Sequence, residues 1–209
     1  MTNEMREILD GALLGDGCLF ISNSSINADF EYTSSSYQHV KYVTQLFSTY
    51  SNKNIQFYSR IDNRTGIISN IYRFKTLVSP TLTTEQKRWY INKEKHIPED
   101  IKLTPLVCKI WYLGDGSLIN YKNVSKRIDI CTNCFEKSEI ENILLPQLQV
   151  FDAKLHYTKN KGQMDNKNYM ITIYKQENIK KFLDYIGDCP FEDYSYKWDF
   201  KPHERQNYP

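Results

Sequence analysis

The chain has 209 residues, 40% of them hydrophobic and 25% charged, which suits one globular domain or two small fused ones. A net charge of +2 excludes a polycationic tail, so any nucleic-acid surface must be local. No apolar run approaches the roughly 18 residues needed to cross a bilayer. The polar N-terminus does not read as a signal peptide, and five cysteines without framework spacing lead us to expect the reduced thiols of an intracellular protein.

Taken in chain order, Ile8, Leu9, Ala12 and Leu13 recur at helical spacing and run into Leu14-Gly15-Asp16-Gly17. An alternating stretch at 30–33 is followed by a helix over 37–50, carried by Val40, Val43, Leu46 and Phe47. Strands are predicted at 55–60 and 71–76, and a helix over 84–93. A proline-marked connector, Lys95-His96-Ile97-Pro98-Glu99-Asp100, leads to Leu103-Thr104-Pro105, where Thr104 suits a helix N-cap and Pro105 the first turn. Leu106, Val107, Ile110 and Leu113 then carry a second apolar helix into Leu113-Gly114-Asp115-Gly116. A strand at 129–132, a helix over 136–150, strands at 155–160 and 171–176 and a helix over 177–186 complete the pattern.

The order repeats because the sequence repeats. Residues 14–19 match 113–118 at five of six positions, and Asp115 follows Asp16 by 99 residues. The same offset carries 30–33 onto 129–132, and an offset of 100 carries 55–60 onto 155–160 and 71–76 onto 171–176. Two similar halves related by a pseudo-two-fold suit a pseudo-symmetric partner such as duplex DNA.

Asp-Gly by itself is a turn signal, but here each copy ends an apolar helix. Gly11 and Gly15, four residues apart, would let the two helices approach closely. Their C-terminal aspartates then arrive together, beside carbonyls that carry the negative end of each helix dipole. Two carboxylates repel unless a cation sits between them, and a hard divalent ion such as Mg²⁺ takes oxygen ligands of this kind.

The stretch Leu9-Asp10-Gly11-Ala12-Leu13-Leu14-Gly15-Asp16-Gly17 resembles the motif of the LAGLIDADG homing endonucleases. Residues 103–116, with Leu103-Thr104-Pro105, Trp111 and Asp115-Gly116, resemble the form found in the subgroup typified by the yeast mitochondrial omega-intron enzyme. The resemblance implies an α+β monomer of two pseudo-symmetric αββαββα halves, with antiparallel saddle-shaped sheets and the motif helices at the interface. We expect an N-terminal half at 1–94, a connector at 95–104 and a C-terminal half at 105–209. It also implies an intron-associated, site-specific endonuclease that makes a staggered double-strand break in a long DNA target. Asp16 and Asp115 match the metal-binding acids, and the carbonyls of Gly15 and Gly114 match backbone groups that can share the metal. Lys95 and Lys197 fall where the subgroup places basic active-site residues. The cofactor would be Mg²⁺, with Mn²⁺ or Ca²⁺ able to bind, and no small-molecule cofactor or membrane is involved. Asp10 departs from the pattern, with Lys109 as its counterpart; the two could pair across the helix interface or face solvent.

Alternating strands can read base edges from the major groove, and loop cations can hold phosphates. Candidates for the first role are Arg73, Lys75, Lys154, His156, Thr158, Thr172 and Tyr174. Candidates for the second are Arg60, Arg64, Lys122, Lys126, Arg127, Lys159 and Lys161. The polar stretches 22–28 and 121–125 occupy corresponding places after each motif. Cys131 and Cys134 form a Cys-x-x-Cys pair with no second pair at finger spacing, which argues against a zinc site. The rival function is a non-cleaving nucleic-acid binder or an RNA maturase assisting intron splicing; retention of both acids favours the nuclease.

Overall fold

The computed structural model describes residues 1–50, 54–61, 64–157 and 168–202; the expected DNA contacts Thr158, Lys159 and Lys161 lie outside the described residues. The first motif helix, α1 (Asn3–Leu14), starts at Thr2, whose hydroxyl caps the Met5 N–H at 3.2 Å. Then come β1 (Cys18–Phe20), β2 (Asp29–Ser34), α2 (Tyr37–Leu46), β3 (Ile55–Ile61), β4 (Ile68–Lys75) and α3 (Pro80–Trp89). A short hairpin, β5 (Tyr90–Ile91) and β6 (Glu94–Lys95), leads to the second motif helix, α4 (Pro105–Asp115). Thr104 caps α4 through the Val107 N–H, with Pro105 in its first turn, as the sequence predicts.

The second set is β7 (Gly116–Tyr121), β8 (Val124–Cys131), a composite helix from α5 (Lys137–Glu139) to α6 (Leu145–Leu148), β9 (Lys154–Tyr157), β10 (Tyr169–Ile173) and α7 (Gln176–Ile186). A 3-10 segment, Glu192–Lys197, follows. The order αββαββα is thus performed twice. Each set forms a four-stranded antiparallel sheet, ordered β1-β2-β4-β3 and β7-β8-β10-β9. Phe30, Tyr32 and Phe74 fill the helix-covered side of the first sheet, and Ile128, Ile130, Ile171 and Ile173 that of the second.

The helix predicted at 136–150 is broken by a π turn over Ile140–Leu144. Pro146 has no N–H for the Asn142 carbonyl, and its ring crowds that turn. The helix predicted at 84–93 instead spans Pro80–Trp89, capped by Ser79. Its predicted end becomes the β5–β6 turn, where Asn92 and Lys93 have positive φ.

Strand register corrects the repeat. Leu19 pairs with Phe30 and Leu118 with Ile128, so β2 and β8 are related by 98 residues rather than 99. Phe74 faces Tyr32 as Ile171 faces Ile130, so β4 and β10 are related by 97 rather than 100. The larger offsets would set core Phe30 on polar Asp129 and core Phe74 on Tyr174, turning strands inside out. The β3–β9 offset of 100 survives, since Ile55 and Leu155 pair with Phe74 and Ile171. The stretches 22–28 and 121–125 do link corresponding strands, β1 to β2 and β7 to β8, but they differ in form. The second is a tight hairpin in which Tyr121 pairs with Val124 across Lys122 and Asn123, both at positive φ.

The motif helices pack against each other at the centre of the molecule. Gly11 makes this possible: a Cβ there would lie 2.6 Å from the Val107 carbonyl oxygen and 2.8 Å from the Ile110 Cβ. Asp10 and Lys109 neither pair nor face solvent together. Asp10 is buried beneath α3, where Arg88 grips both carboxylate oxygens at 2.6 and 3.1 Å and the Trp89 indole donates at 3.0 Å. Arg88 also reaches Glu85 and Asp100, which fastens α3 and the connector to the motif helix. Among the described residues, no helix is long and apolar enough to cross a membrane.

Candidate active site

Close packing of α1 and α4 brings their ends together in a crossed arrangement. A Cβ on Gly114 would lie 3.4 Å from Asp16 Oδ2, and one on Gly15 would lie 3.7 Å from Asp115 Oδ2. Each aspartate thus leans over the glycine of the opposite motif. Asp16 keeps contact with solvent and Asp115 is half-buried. Among the described residues no hydrogen-bond donor reaches either carboxylate, so burial and the nearby charges set their ionisation.

That environment shifts both acids upward. Surrounding protein strips water from Asp16 and raises its carboxyl, against the pull of Lys197 and Lys95. Asp115 is pushed up to about 7, first by burial and then by the charge of Asp16. The pair resists double ionisation, which is the electrostatic state a bound cation relieves. The side chains that meet over the two glycines are both carboxylates, all-oxygen groups. They suit a hard divalent ion. The described residues hold no group of three or more His, Cys, Asp or Glu side chains with metal-binding geometry.

Lys95 and Lys197 are not ordinary surface lysines. Lys95 Nζ donates to the Gly17 carbonyl at 2.8 Å and reaches the Gly15 carbonyl at 3.4 Å, so Gly15 shares its oxygen with that ammonium. Lys197 is 5% exposed and donates to the Leu113 carbonyl at 2.7 Å. Each ammonium sits on the carbonyl end of one motif helix, where the dipole favours a cation. Burial lowers both amines, Lys197 to about 8, while the two aspartates oppose the shift.

Below the aspartates lies a polar chain that sequence reasoning missed. The Tyr32 hydroxyl, 3.4 Å from where a Gly114 Cβ would stand, meets His39 Nε2 at 3.0 Å. His39 Nδ1 meets the Tyr194 hydroxyl at 3.3 Å, and Tyr194 meets Ser34 at 3.2 Å. The Tyr194 ring lies 4.5 Å beneath the Lys197 ammonium. Burial and the nearby Lys197 hold His39 neutral, down to about 3. Its one sequence signal was a histidine among the apolar positions of α2.

The expected DNA contacts divide three ways. Arg60, Arg64, Lys122, Lys126 and Lys154 are exposed, the first four on or beside hairpin ends. Arg73 pairs with Glu31, Lys75 with Asp29 at 3.1 Å, and Arg127 with Asp129 at 2.8 Å, all on the helix-free faces. His156 hydrogen-bonds the Tyr174 hydroxyl. Thr172 is a correction: it is buried and donates to Asp129 Oδ1 at 2.9 Å, so its hydroxyl serves the sheet. Asp129 is thereby aimed to hold Arg127.

Two αββαββα sets joined through acid-tipped central helices define a two-motif protein of the LAGLIDADG type. The chain belongs to the LAGLIDADG DNA endonuclease family, whose model matches residues 6–182. It is 29% identical over 194 residues to the cytochrome b mRNA maturase bI2 of Debaryomyces hansenii, covering 89% of this chain and 71% of that protein. It is 25% identical over 207 residues to DNA endonuclease I-ChuI of Chlamydomonas applanata, covering 88% and 92%. Among solved structures, the homing endonuclease I-WcaI bound to its DNA recognition sequence superposes with a TM-score of 0.79 at 18% identity, covering 96% of this chain and 88% of that one. This likeness shows the fold.

Proposed function

We propose that the protein is a site-specific DNA endonuclease that hydrolyses one phosphodiester on each strand of a long duplex target, leaving a staggered break. The observation that carries this reading is the pair of carboxylates, Asp16 and Asp115, crossed at the ends of α1 and α4 with a lysine on each helix end. Asp16 and Asp115, with the Gly114 carbonyl and in part that of Gly15, would hold Mg²⁺; Mn²⁺ or Ca²⁺ fits the same oxygens. The metal would supply Lewis-acid stabilisation of charge at the scissile phosphate. Lys95 and Lys197 orient water and offset the negative charge that grows as the phosphodiester opens. The exposed cations Arg60, Arg64, Lys122, Lys126 and Lys154 hold the DNA backbone. Arg73, Lys75, Arg127, His156 and Tyr174 present polar edges to bases once their internal partners are exchanged for DNA. The pseudo-symmetric chain does this as a monomer, with duplex DNA as its partner.

Similarity to the maturase bI2 supports a second reading, in which the protein binds intron RNA without cutting DNA. Cleavage of a randomised duplex library in Mg²⁺ separates the two. We expect the wild type to enrich one long site cut on both strands. Asp16→Asn and Asp115→Asn should each lose double-strand cutting by at least about a hundredfold while still retarding that duplex in a gel. No cutting by the wild type, together with tight RNA binding, would establish the second reading instead.

A further inference from the structure

The two active-site lysines are carried by short straps, and each strap is fastened across the molecule. Lys95 lies on the carbonyls that end α1, yet the residues after it are tied to the second set. Glu139 in α5 accepts from the Ile97 N–H at 3.2 Å and pairs with His96 Nδ1 at 2.9 Å. Lys197 lies on the carbonyl end of α4, yet its 3-10 segment is tied to the first set. Asp193 accepts from Ser36, the N-cap of α2, at 2.7 Å, and its N–H reaches Gln38 at 3.4 Å. Tyr194 bonds His39 and Ser34, and Phe191 packs on His39 and Tyr42 at ring distances of 5.5 and 5.7 Å. The crossed design is the same on both sides: a carboxylate joins the strap to the first turn of the opposite set's outer helix.

We propose that Glu139, reaching Lys95's strap from the opposite half, and Asp193 with Tyr194, which tie Lys197's strap to Ser36 and His39 of the opposite half, are positioning residues that seat Lys95 and Lys197 respectively. The cleavage part rests on the endonuclease reading; the seating part does not. A lysine has four rotatable side-chain bonds, and the carbonyls beneath it fix only the ammonium. The strap fixes the backbone from which that ammonium is reached. For Lys197 the tie is closest, since the Tyr194 ring that His39 and Ser34 orient is the surface under the ammonium. Loosening one strap should therefore release one lysine and leave the other in place. A shift of about 1 Å in a reacting group is worth on the order of a hundredfold in rate, so the effect should be confined to one strand.

The test has two readouts on the full chain. The first is acetylation of the folded protein by acetic anhydride, followed by mass spectrometry. Asp193→Ala/Tyr194→Leu should raise labelling of Lys197 and not Lys95, and Glu139→Ala should raise Lys95 and not Lys197. The second is nicking, in Mg²⁺, of a supercoiled plasmid carrying the site that the wild type selects. The first variant should slow the strand that Lys197→Met slows, and the second the strand that Lys95→Met slows. Each should act by about tenfold or more, through kcat with KM unchanged. Tyr194→Phe and Glu139→Gln, which keep ring and cap, should shift both readouts less, and they replace the larger changes if those fail to fold. Crossed labelling without any cutting would retain the straps and sink the nuclease reading. Cutting with both lysines labelled alike, or both strands slowed alike, would overturn the strap assignment.

Discussion

Replacing Gly11 with alanine tests the claim that one missing side chain sets the spacing of the site. The added Cβ would stand 2.6 Å from the Val107 carbonyl oxygen and 2.8 Å from the Ile110 Cβ. Ordinary contact begins near 3.4 Å, so the helices must separate by roughly 0.6 to 0.8 Å at this crossing, and neither atom is the tip of a flexible side chain. Overpacking of this kind costs about 1–3 kcal/mol. Alanine's better helix propensity returns about 1 kcal/mol, leaving a net loss of roughly 0–2 kcal/mol in urea unfolding. The larger effect falls on activity. Separation at Gly11 splays the helix ends that carry Asp16 and Asp115, and a displacement near 1 Å costs about a hundredfold. The expected signature is a nearly stable protein that binds its DNA and cuts slowly. Gly11→Ala with raised stability and full cutting would refute the argument that close helix approach sets the carboxylate spacing.

Asp10→Ala should be among the most damaging substitutions away from the site. It strips Arg88 of its bidentate partner, leaving that charge to Glu85 and Asp100, and takes the acceptor from the Trp89 N–H, at about 1–3 kcal/mol for each buried donor left unsatisfied, read in chemical unfolding. Thr172→Val removes the donor to a buried Asp129 oxygen and should cost about 1–3 kcal/mol in the same assay, with base preference at the cleavage site unchanged. The pH dependence follows from Asp115, whose folded value lies near 7, above the ordinary 3.8. Between those values the folded protein holds the Asp115 proton and the unfolded chain does not, so this group's contribution to metal-free stability falls as pH rises, against the opposite slope from His39, which folding holds neutral. The difference in unfolding free energy between wild type and Asp115→Asn in EDTA, taken at pH 5 and pH 8, isolates the Asp115 contribution and should change between the two by its fall.

Much of the fold was legible because it is written in periodicity. The helices α1, α2, α4 and α7 follow their apolar spacing, and Thr104-Pro105 marked a helix start that the structure reproduces. The duplicated Leu-Gly-Asp-Gly marked the centre of the pseudo-symmetry. Register was less legible, since a local match cannot see across strands: residues 30–33 fit 129–132 about as well as 128–131 until Leu19 and Leu118 choose their partners. The break at Ile140–Leu144 was signalled by Pro146, yet its form depends on how that turn packs.

For the site, the sequence by itself determined which groups exist: two acids that end apolar helices, and two lysines placed by family pattern. It could not say what those groups touch. Asp10 looked like a surface or interface charge, and its partner came from α3, 78 residues away. Thr172 looked like a base-reading position and proved to hold Asp129. His39 joins Tyr32 to Tyr194 from a position 155 residues before the latter, a link that no local spacing marks. Local spacing and propensity act over a few residues and leave their mark in the chain. Burial, helix approach and crossed straps arise when distant segments exclude water together, and only the tertiary structure decides which groups then share a low-dielectric space.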